Sequence, residues 1–180
     1  KLDRLNIILI KNNQVEAECG VNLVKLLNIC TERGLSGLEF LTGIPGQVGA
    51  STKNNTGAFD ESISDFIKEV KVLDENYNIV TLTKDKLNFG YRTSIFKENK
   101  KIIVISTTFI LNLTKAEIIK DKIIENKKER LNKQPYDMPN AGSVFKNPIN
   151  NSAGKLIESL SLRGYNIGDA MVSKKHANFI

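Results

Sequence analysis

The run Ile102-Ile103-Val104-Ile105-Ser106-Thr107-Thr108-Phe109-Ile110 constrains the fold of this chain more than any other stretch. β-branched side chains lose rotamer freedom in a helix and pack well on a pleated surface, so the run predicts a strand. Lys101 to Leu113 is too long and too apolar for an edge, which places it at the centre of a sheet. Everything before it must therefore supply strands to flank it.

Two hairpins are available. Asn6 to Ile10 and Val15 to Cys19 read as strands around a Lys11-Asn12-Asn13 turn, where asparagine tolerates the left-handed backbone that a tight turn needs. Ile67 to Leu73 and Ile79 to Leu82 read as a second pair around Asp74-Glu75-Asn76, with Val70 and Val72 alternating inward. Between the hairpins, Asn22 predicts the cap of a helix whose Leu23, Leu26, Leu27 and Cys30 share one face, stopped by Gly34. After the central strand, Thr114 and Glu117 form a Thr-x-x-Glu box. They open a helix lined by Ala116, Ile119 and Ile123, which must end before Pro135. A third helix is expected over Ala153 to Leu160, capped by Ser152, with Leu156, Ile157 and Leu160 turned inward. The domain boundary is set near Leu113, giving 1–113 as a strand-rich domain and 114–180 as a smaller one.

With 180 residues, 41% of them hydrophobic and 26% charged, the chain has enough apolar material for a globular core. The net charge of +6 fits an acidic partner. Nucleic acid is disfavoured, because the densest lysine run, Lys120 to Lys133, also carries Asp121, Glu125 and Glu129 and reads as a solvated helix face. A small anionic ligand suits the charge as well. Cys19 and Cys30 make no C-x-x-C pair, and both read as buried thiols in a reducing compartment. With His176 the single histidine, a histidine metal cluster within the chain is ruled out, and neither a metal site nor a Ser/His/Asp triad is expected. There is no apolar run of ~18 residues and no signal peptide, so a cytoplasmic protein without a membrane partner is expected. The oligomeric state is left open. The lack of an initiating methionine and the stop at Asn178-Phe179-Ile180 point to a piece of a longer protein, cut at both ends.

Three segments invite a functional reading. Gly43, Gly46, Gly49 and Gly57 punctuate a stretch that also holds Pro45, Ser51, Thr52, Asn54 and Asn55. Backbone there can come close to a phosphate, although neither a Walker loop nor a G-x-G-x-x-G fingerprint is present. Arg92 follows Tyr91, and its planar guanidinium can bind two oxygens at once. Asn140-Ala141-Gly142-Ser143-Val144-Phe145-Lys146-Asn147-Pro148 sets a hydroxyl beside an ammonium and an amide. Alternation would put Ser143 and Phe145 on one face of a short strand. Taken singly, these are equally a turn, a surface cation and a Ser/Asn-rich loop.

Together, Gly37-Leu38-Glu39-Phe40-Leu41-Thr42-Gly43-Ile44-Pro45-Gly46-Gln47-Val48-Gly49, Tyr91-Arg92-Thr93-Ser94, the Ser143 stretch and Val172-Ser173-Lys174-Lys175-His176-Ala177-Asn178-Phe179-Ile180 resemble, in order, the UDP-N-acetylenolpyruvoylglucosamine reductases, flavoenzymes of bacterial cell-wall synthesis. The resemblance implies an α+β fold: part of a vanillyl-alcohol-oxidase-like FAD-binding domain, then a smaller α/β substrate-binding domain. It implies FAD and NADPH as cofactors and a UDP-sugar as substrate, with NADPH using the substrate pocket in alternation. Gly43, Ile44, Pro45, Gly46, Val48, Gly49 and Gly57 would then lie against the flavin. Ser143 would be the proton donor and Arg92 its electrophilic partner, while Tyr91, Lys146 and Asn147 would contact substrate. A glycine-rich flavin loop would precede Lys1, and a second catalytic acid, a glutamate, would follow Ile180.

Departures qualify the match. Ala50 stands where the family has a further glycine, and Asn55-Thr56-Gly57-Ala58-Phe59-Asp60 stands for Asn-Ala-Gly-Ala-Tyr-Gly, so the phenolic hydroxyl is lost at Phe59. Two alternatives follow: another flavin-binding oxidoreductase of the same superfamily, or a non-catalytic fragment that keeps the fold.

Overall fold

A computed structural model describes Leu2 and residues 4–180. In chain order the elements are β1 (Ile8–Lys11), β2 (Gln14–Glu18), α1 (Leu23–Glu32), β3 (Leu35–Ser36), α2 (Val48–Asn54), β4 (Gly57–Ala58), β5 (Glu61–Ser62), α3 (Ile63–Phe66), β6 (Ile67–Leu73), β7 (Ile79–Thr83), α4 (Ile95–Glu98), β8 (Ile103–Ile110), β9 (Asn112–Leu113), α5 (Ala116–Lys133), α6 (Ala153–Ser159), β10 (Asn166–Ile167) and β11 (Ala170–Met171). The chain forms two compact units, the first ending at Asn126 and the second beginning at Lys127.

In the first unit, β8 lies at the centre of a five-stranded antiparallel sheet of order β1-β2-β8-β6-β7. Both hairpins form. Asn12 takes φ 55 in the first turn, and the Asp74 carboxylate accepts from the N–H groups of Asn76 and Asn78 in the second. Period-two alternation sorts the faces, reset on β8 by a bulge between Val104 and Ser106, which pair with the successive β6 residues Val72 and Lys71. Val15, Ala17, Val70, Val72, Val104 and Phe109 are buried, while Glu16, Lys71 and Ser106 meet on the other face. There the Glu16 carboxylate accepts from Ser106 Oγ at 2.6 Å and Lys71 Nζ at 2.9 Å, which together hold it below the usual carboxylate range. α1 adds Leu23, Leu26, Leu27 and Cys30 to the same core, and the Asn22 side chain caps the helix by accepting from Val24 N. Burial pushes the Cys30 thiol up to about 12, so it is an inert core residue.

The stretch read as a glycine-rich loop is partly helical. α2 forms because Val48, Ser51 and Thr52 bury against the sheet, with Thr52 Oγ1 2.8 Å from Thr107 Oγ1 on β8. The sequence reading set the domain boundary at Leu113; by packing, the units part after Asn126. Ile119 is fully buried, Ile123 packs against the core, and Asn126 Nδ2 donates to the Glu39 carbonyl at 2.9 Å, so the first half of α5 belongs with the first unit.

In the second unit, α6 is capped by Ser152 as expected, but its inward face differs. Leu156 and Leu160 are 45% and 70% exposed, whereas Ala153 and Gly154 are buried. A Cβ on Gly154 would lie 3.5 Å from the His176 ring and 3.8 Å from Asn178 Cβ, ordinary contact distances, so residues 176–178 cover this face of α6. Among the described residues, no helix is long and apolar enough to cross a membrane.

Candidate functional site

The glycines of the 43–57 stretch divide by cause. Gly43 and Gly46 take φ +75 and +146, backbone that L side chains rarely adopt, and both are exposed beside exposed Pro45. A Cβ at Gly46 would approach only a Leu23 methyl, at 4.0 Å, so open space lies over this backbone. Gly49 and Gly57 are glycine for packing. A Cβ at Gly49 would sit 2.7 Å from Cys19 Cβ, and one at Gly57 would sit 2.5 Å from the Glu61 carbonyl oxygen. Ile44 packs against the core and Val48 is fully buried, so these two fasten the loop. Hydrogen bonds from Leu23 N to Gly46 O, Val48 N to Val21 O and Gly49 N to Cys19 O anchor its backbone.

α2 carries this loop at one end and the Arg92 region at the other, seven residues or roughly 10 Å away along the helix axis. Its last turn is bound by the Tyr91-Arg92-Thr93-Ser94 segment. Ser94, fully buried, donates from Oγ to the Lys53 carbonyl at 2.6 Å, and Asn55 Nδ2 donates to the Gly90 carbonyl at 2.9 Å. Arg92 itself has φ 54, and its carbonyl accepts from Lys97 Nζ at 3.0 Å. Its guanidinium donates to the carbonyls of Asn55 and Gly57 at 3.3 and 2.5 Å, and lies 5.1 Å from the Tyr91 ring centroid. Arg92, Tyr91 and Gly57 are thus brought together, with the arginine fork braced by main-chain oxygens.

Ser143, Lys146 and Asn147 belong to the second unit, and all three are exposed. The expected strand reduces to a single bridge, Ser143 to Phe179, because Val144 and Phe145 turn outward and bury too little to continue a ladder. Hydrogen bonds hold the segment instead. Val144 N donates to the Asn178 carbonyl at 2.9 Å, and the Asn178 side chain bonds both the N–H and the carbonyl of Phe145. Asn147 Oδ1 accepts from Ala153 N at 3.1 Å, tying the segment to the start of α6.

Residues 134–180 match the family model described as UDP-N-acetylenolpyruvoylglucosamine reductase, C-terminal domain, and residues 1–83 match that of an FAD binding domain. The UDP-N-acetylenolpyruvoylglucosamine reductase of Caldicellulosiruptor bescii is 47% identical over 173 residues, covering 95% of this chain and 55% of that protein. This chain is a homologue of the UDP-N-acetylenolpyruvoylglucosamine reductases. The Thermotoga petrophila reductase is 45% identical, covering 100% of the chain and 63% of its own length. The crystal structure of UDP-N-acetylenolpyruvylglucosamine reductase from Thermus caldophilus superposes with a TM-score of 0.82 at 36% identity, over 92% of this chain and 60% of that one. The chain therefore spans just over half the length of the curated relatives it matches.

Against this family, the Phe59 and Asp60 departures take a defined place. They are the two central residues of the β4–β5 hairpin, with φ 55 and 61, a primed turn in which glycine is the easier occupant. Phe59 packs against the core, which offsets the backbone cost. Asn55, Ser94 and Asn178 are residues the sequence reading left without a role. A buried polar residue inside a motif was the available signal; their partners lie 9 to 41 positions away in the chain and are legible only in the fold.

Proposed function

We propose that this chain is the part of an FAD-dependent oxidoreductase that reduces the enolpyruvyl group of UDP-N-acetylenolpyruvoylglucosamine to give UDP-N-acetylmuramate, with NADPH as reductant, in the cytoplasm. Residues up to Leu113 contribute to the FAD-binding domain and those from Thr114 to the substrate-binding domain. The observation that carries the reading is the 47% identity to a reductase over 173 residues, which includes both the Arg92 and the Ser143 segments. The exposed backbone at Gly43 and Gly46, with open space over Gly46 and exposed Pro45 between them, fits the approach of a flavin pyrophosphate, while Ile44 and Val48 anchor the loop. Gly49 and Gly57 support that surface from behind through their packing.

When bound, FAD supplies the hydride, taken from NADPH, that adds to the terminal carbon of the enolpyruvyl double bond. Electron density then moves onto the carboxylate-bearing carbon as an enolate, and the protein must stabilise it and protonate it. Arg92 offers a fixed positive charge for the enolate oxygens, its orientation set by Asn55, Gly57 and Tyr91. The Ser143 hydroxyl gives its proton to the enolate carbon, forming the new C–H bond, and the resulting alkoxide is reprotonated from solvent. Lys146 and Asn147 flank it, one as a cation for the anionic substrate and the other as an amide that also caps α6.

The test is made on the full-length protein: flavin absorbance of the purified material, then NADPH oxidation with and without UDP-N-acetylenolpyruvoylglucosamine. Bound FAD with substrate-dependent NADPH consumption is expected. Bound flavin that turns over with a different acceptor and ignores this substrate would favour another oxidoreductase of the superfamily.

A further inference from the structure

We infer that Asn178 is a positioning residue that fixes the backbone carrying Ser143, by bonding the N–H and the C=O of Phe145 with the two ends of its carboxamide. The inference rests on the reading of Ser143 as proton donor and adds the residue that places it.

The Ser143 segment has almost no packing of its own. Val144 and Phe145 are 46% and 58% exposed, and Gly142, at φ +77, has nothing within 4 Å of where a Cβ would stand. Its position therefore depends on hydrogen bonds, and one residue makes most of them. Asn178 is 4% exposed. Its Oδ1 accepts from Phe145 N at 3.0 Å, its Nδ2 donates to Phe145 O at 2.8 Å, and its carbonyl accepts from Val144 N at 2.9 Å. The next residue, Phe179, bridges Ser143.

A side chain facing both the N–H and the C=O of one residue must offer one acceptor and one donor at short reach, which is the inventory of asparagine. Aspartate would set a second carboxylate oxygen against the Phe145 carbonyl. Asn178 is itself preset by a closed turn. Its N–H donates to His176 Nδ1 at 3.2 Å, the His176 and Lys175 N–H groups donate to Ser173 Oγ, and Ser173 N and Phe179 O meet at 2.9 Å. A proton donor must be held in a narrow range of geometry to be useful, and a displacement of about 1 Å costs on the order of 10²-fold in rate.

The experiment uses the full-length, FAD-loaded protein and stopped-flow absorbance of the flavin in two steps: reduction by NADPH, then reoxidation by UDP-N-acetylenolpyruvoylglucosamine. Wild type, Asn178→Asp, Ser143→Ala and the double variant are compared. Asn178→Asp is expected to leave flavin reduction within about 2-fold and to slow reoxidation by roughly 10-fold to 10²-fold. In the Ser143→Ala background the same substitution should add little, because the group it places is gone. If Asn178→Asp does not fold, Asn178→Ser, which keeps a small uncharged polar group, is read in the same way. Equal slowing of both steps, or a full additional loss in the Ser143→Ala background, would reduce Asn178 to a general structural residue. Reoxidation at the wild-type rate in Asn178→Asp beside a slow Ser143→Ala would overturn the positioning role alone. Wild-type reoxidation in Ser143→Ala would overturn the proton-donor reading on which it rests.

Discussion

Replacing Gly49 by alanine separates packing from helix propensity. In a helix interior alanine is favoured over glycine by up to ~1 kcal/mol, so propensity alone predicts a stabilised protein. The structure predicts the opposite sign. The new Cβ would stand 2.7 Å from Cys19 Cβ, 3.2 Å from Cys19 O and 3.3 Å from Cys19 Cα. Carbon atoms pack best at about 3.5–4.0 Å, so the overlap is roughly 1 Å against Cys19 Cβ, which is fixed directly to the backbone, and smaller against the Cys19 backbone atoms. Cys19 cannot retreat, because it is 2% exposed and its N–H donates to the Ile105 carbonyl of β8 at 2.7 Å. α2 must move instead, lengthening the bonds from Val48 N to Val21 O and from Gly49 N to Cys19 O, both 2.9 Å. Overpacking costs about 1–3 kcal/mol and a weakened hydrogen bond up to about 1. Net of propensity, a loss of roughly 1–3 kcal/mol is expected. Urea unfolding of the full-length protein reads this as a lower midpoint at unchanged slope. A variant as stable as wild type, or more so, would refute the packing account and return Gly49 to the ligand-facing group.

Arg92→Ala in the full-length enzyme should lose ~2–4 kcal/mol of transition-state stabilisation, with flavin reduction by NADPH less affected, and an unchanged turnover number would remove Arg92 from the site. Gly46→Val should lower the FAD content of the purified protein, because the residue is strained at φ +146 and fills the open space above the loop; stoichiometric FAD with a wild-type spectrum would make the loop structural. Burial, then the nearby Arg163 guanidinium, hold His176 below its ordinary value near 6.5, against the opposing effect of Glu158. The folded state thus binds the proton less readily than the unfolded chain. Stability from this group is complete above about 6.5 and is lost as pH falls through the lower folded value. A His176→Asn variant should show a flatter melting-temperature profile across that window, and an identical slope would exclude His176 as its source.

The parts of the fold legible in the sequence are those set by local pattern. The β-branched run did become the central strand, and the asparagine turn and the Asn22 cap formed where local chemistry placed them. α2 was hidden because Gly49 and its Ser/Thr-rich sequence have poor helix propensity; Val48, Ser51 and Thr52 form it through tertiary burial. The α6 face was misjudged for a related reason. Leu156 and Leu160 have the right period, but the face that His176 and Asn178 cover is that of Ala153 and Gly154, and residues more than twenty positions away in the chain decide it. In the candidate site, motifs named the segments, while the bonds of Arg92 to Asn55 and Gly57 and of Phe145, two residues after Ser143, to Asn178 depend on partners far apart in the chain.

The most direct measurement is the stopped-flow comparison of wild type with Ser143→Ala in the full-length protein, one step at a time. In the proposed reaction NADPH reduces the flavin without a serine, whereas the enolate carbon needs a delivered proton. Flavin reduction should therefore stay near the wild-type rate, and reoxidation by UDP-N-acetylenolpyruvoylglucosamine should slow by ~10²-fold to 10⁴-fold, with Ser143→Cys recovering part of the loss. Reoxidation of Ser143→Ala at the wild-type rate, with correctly protonated product, would contradict the account and leave Ser143 a turn residue.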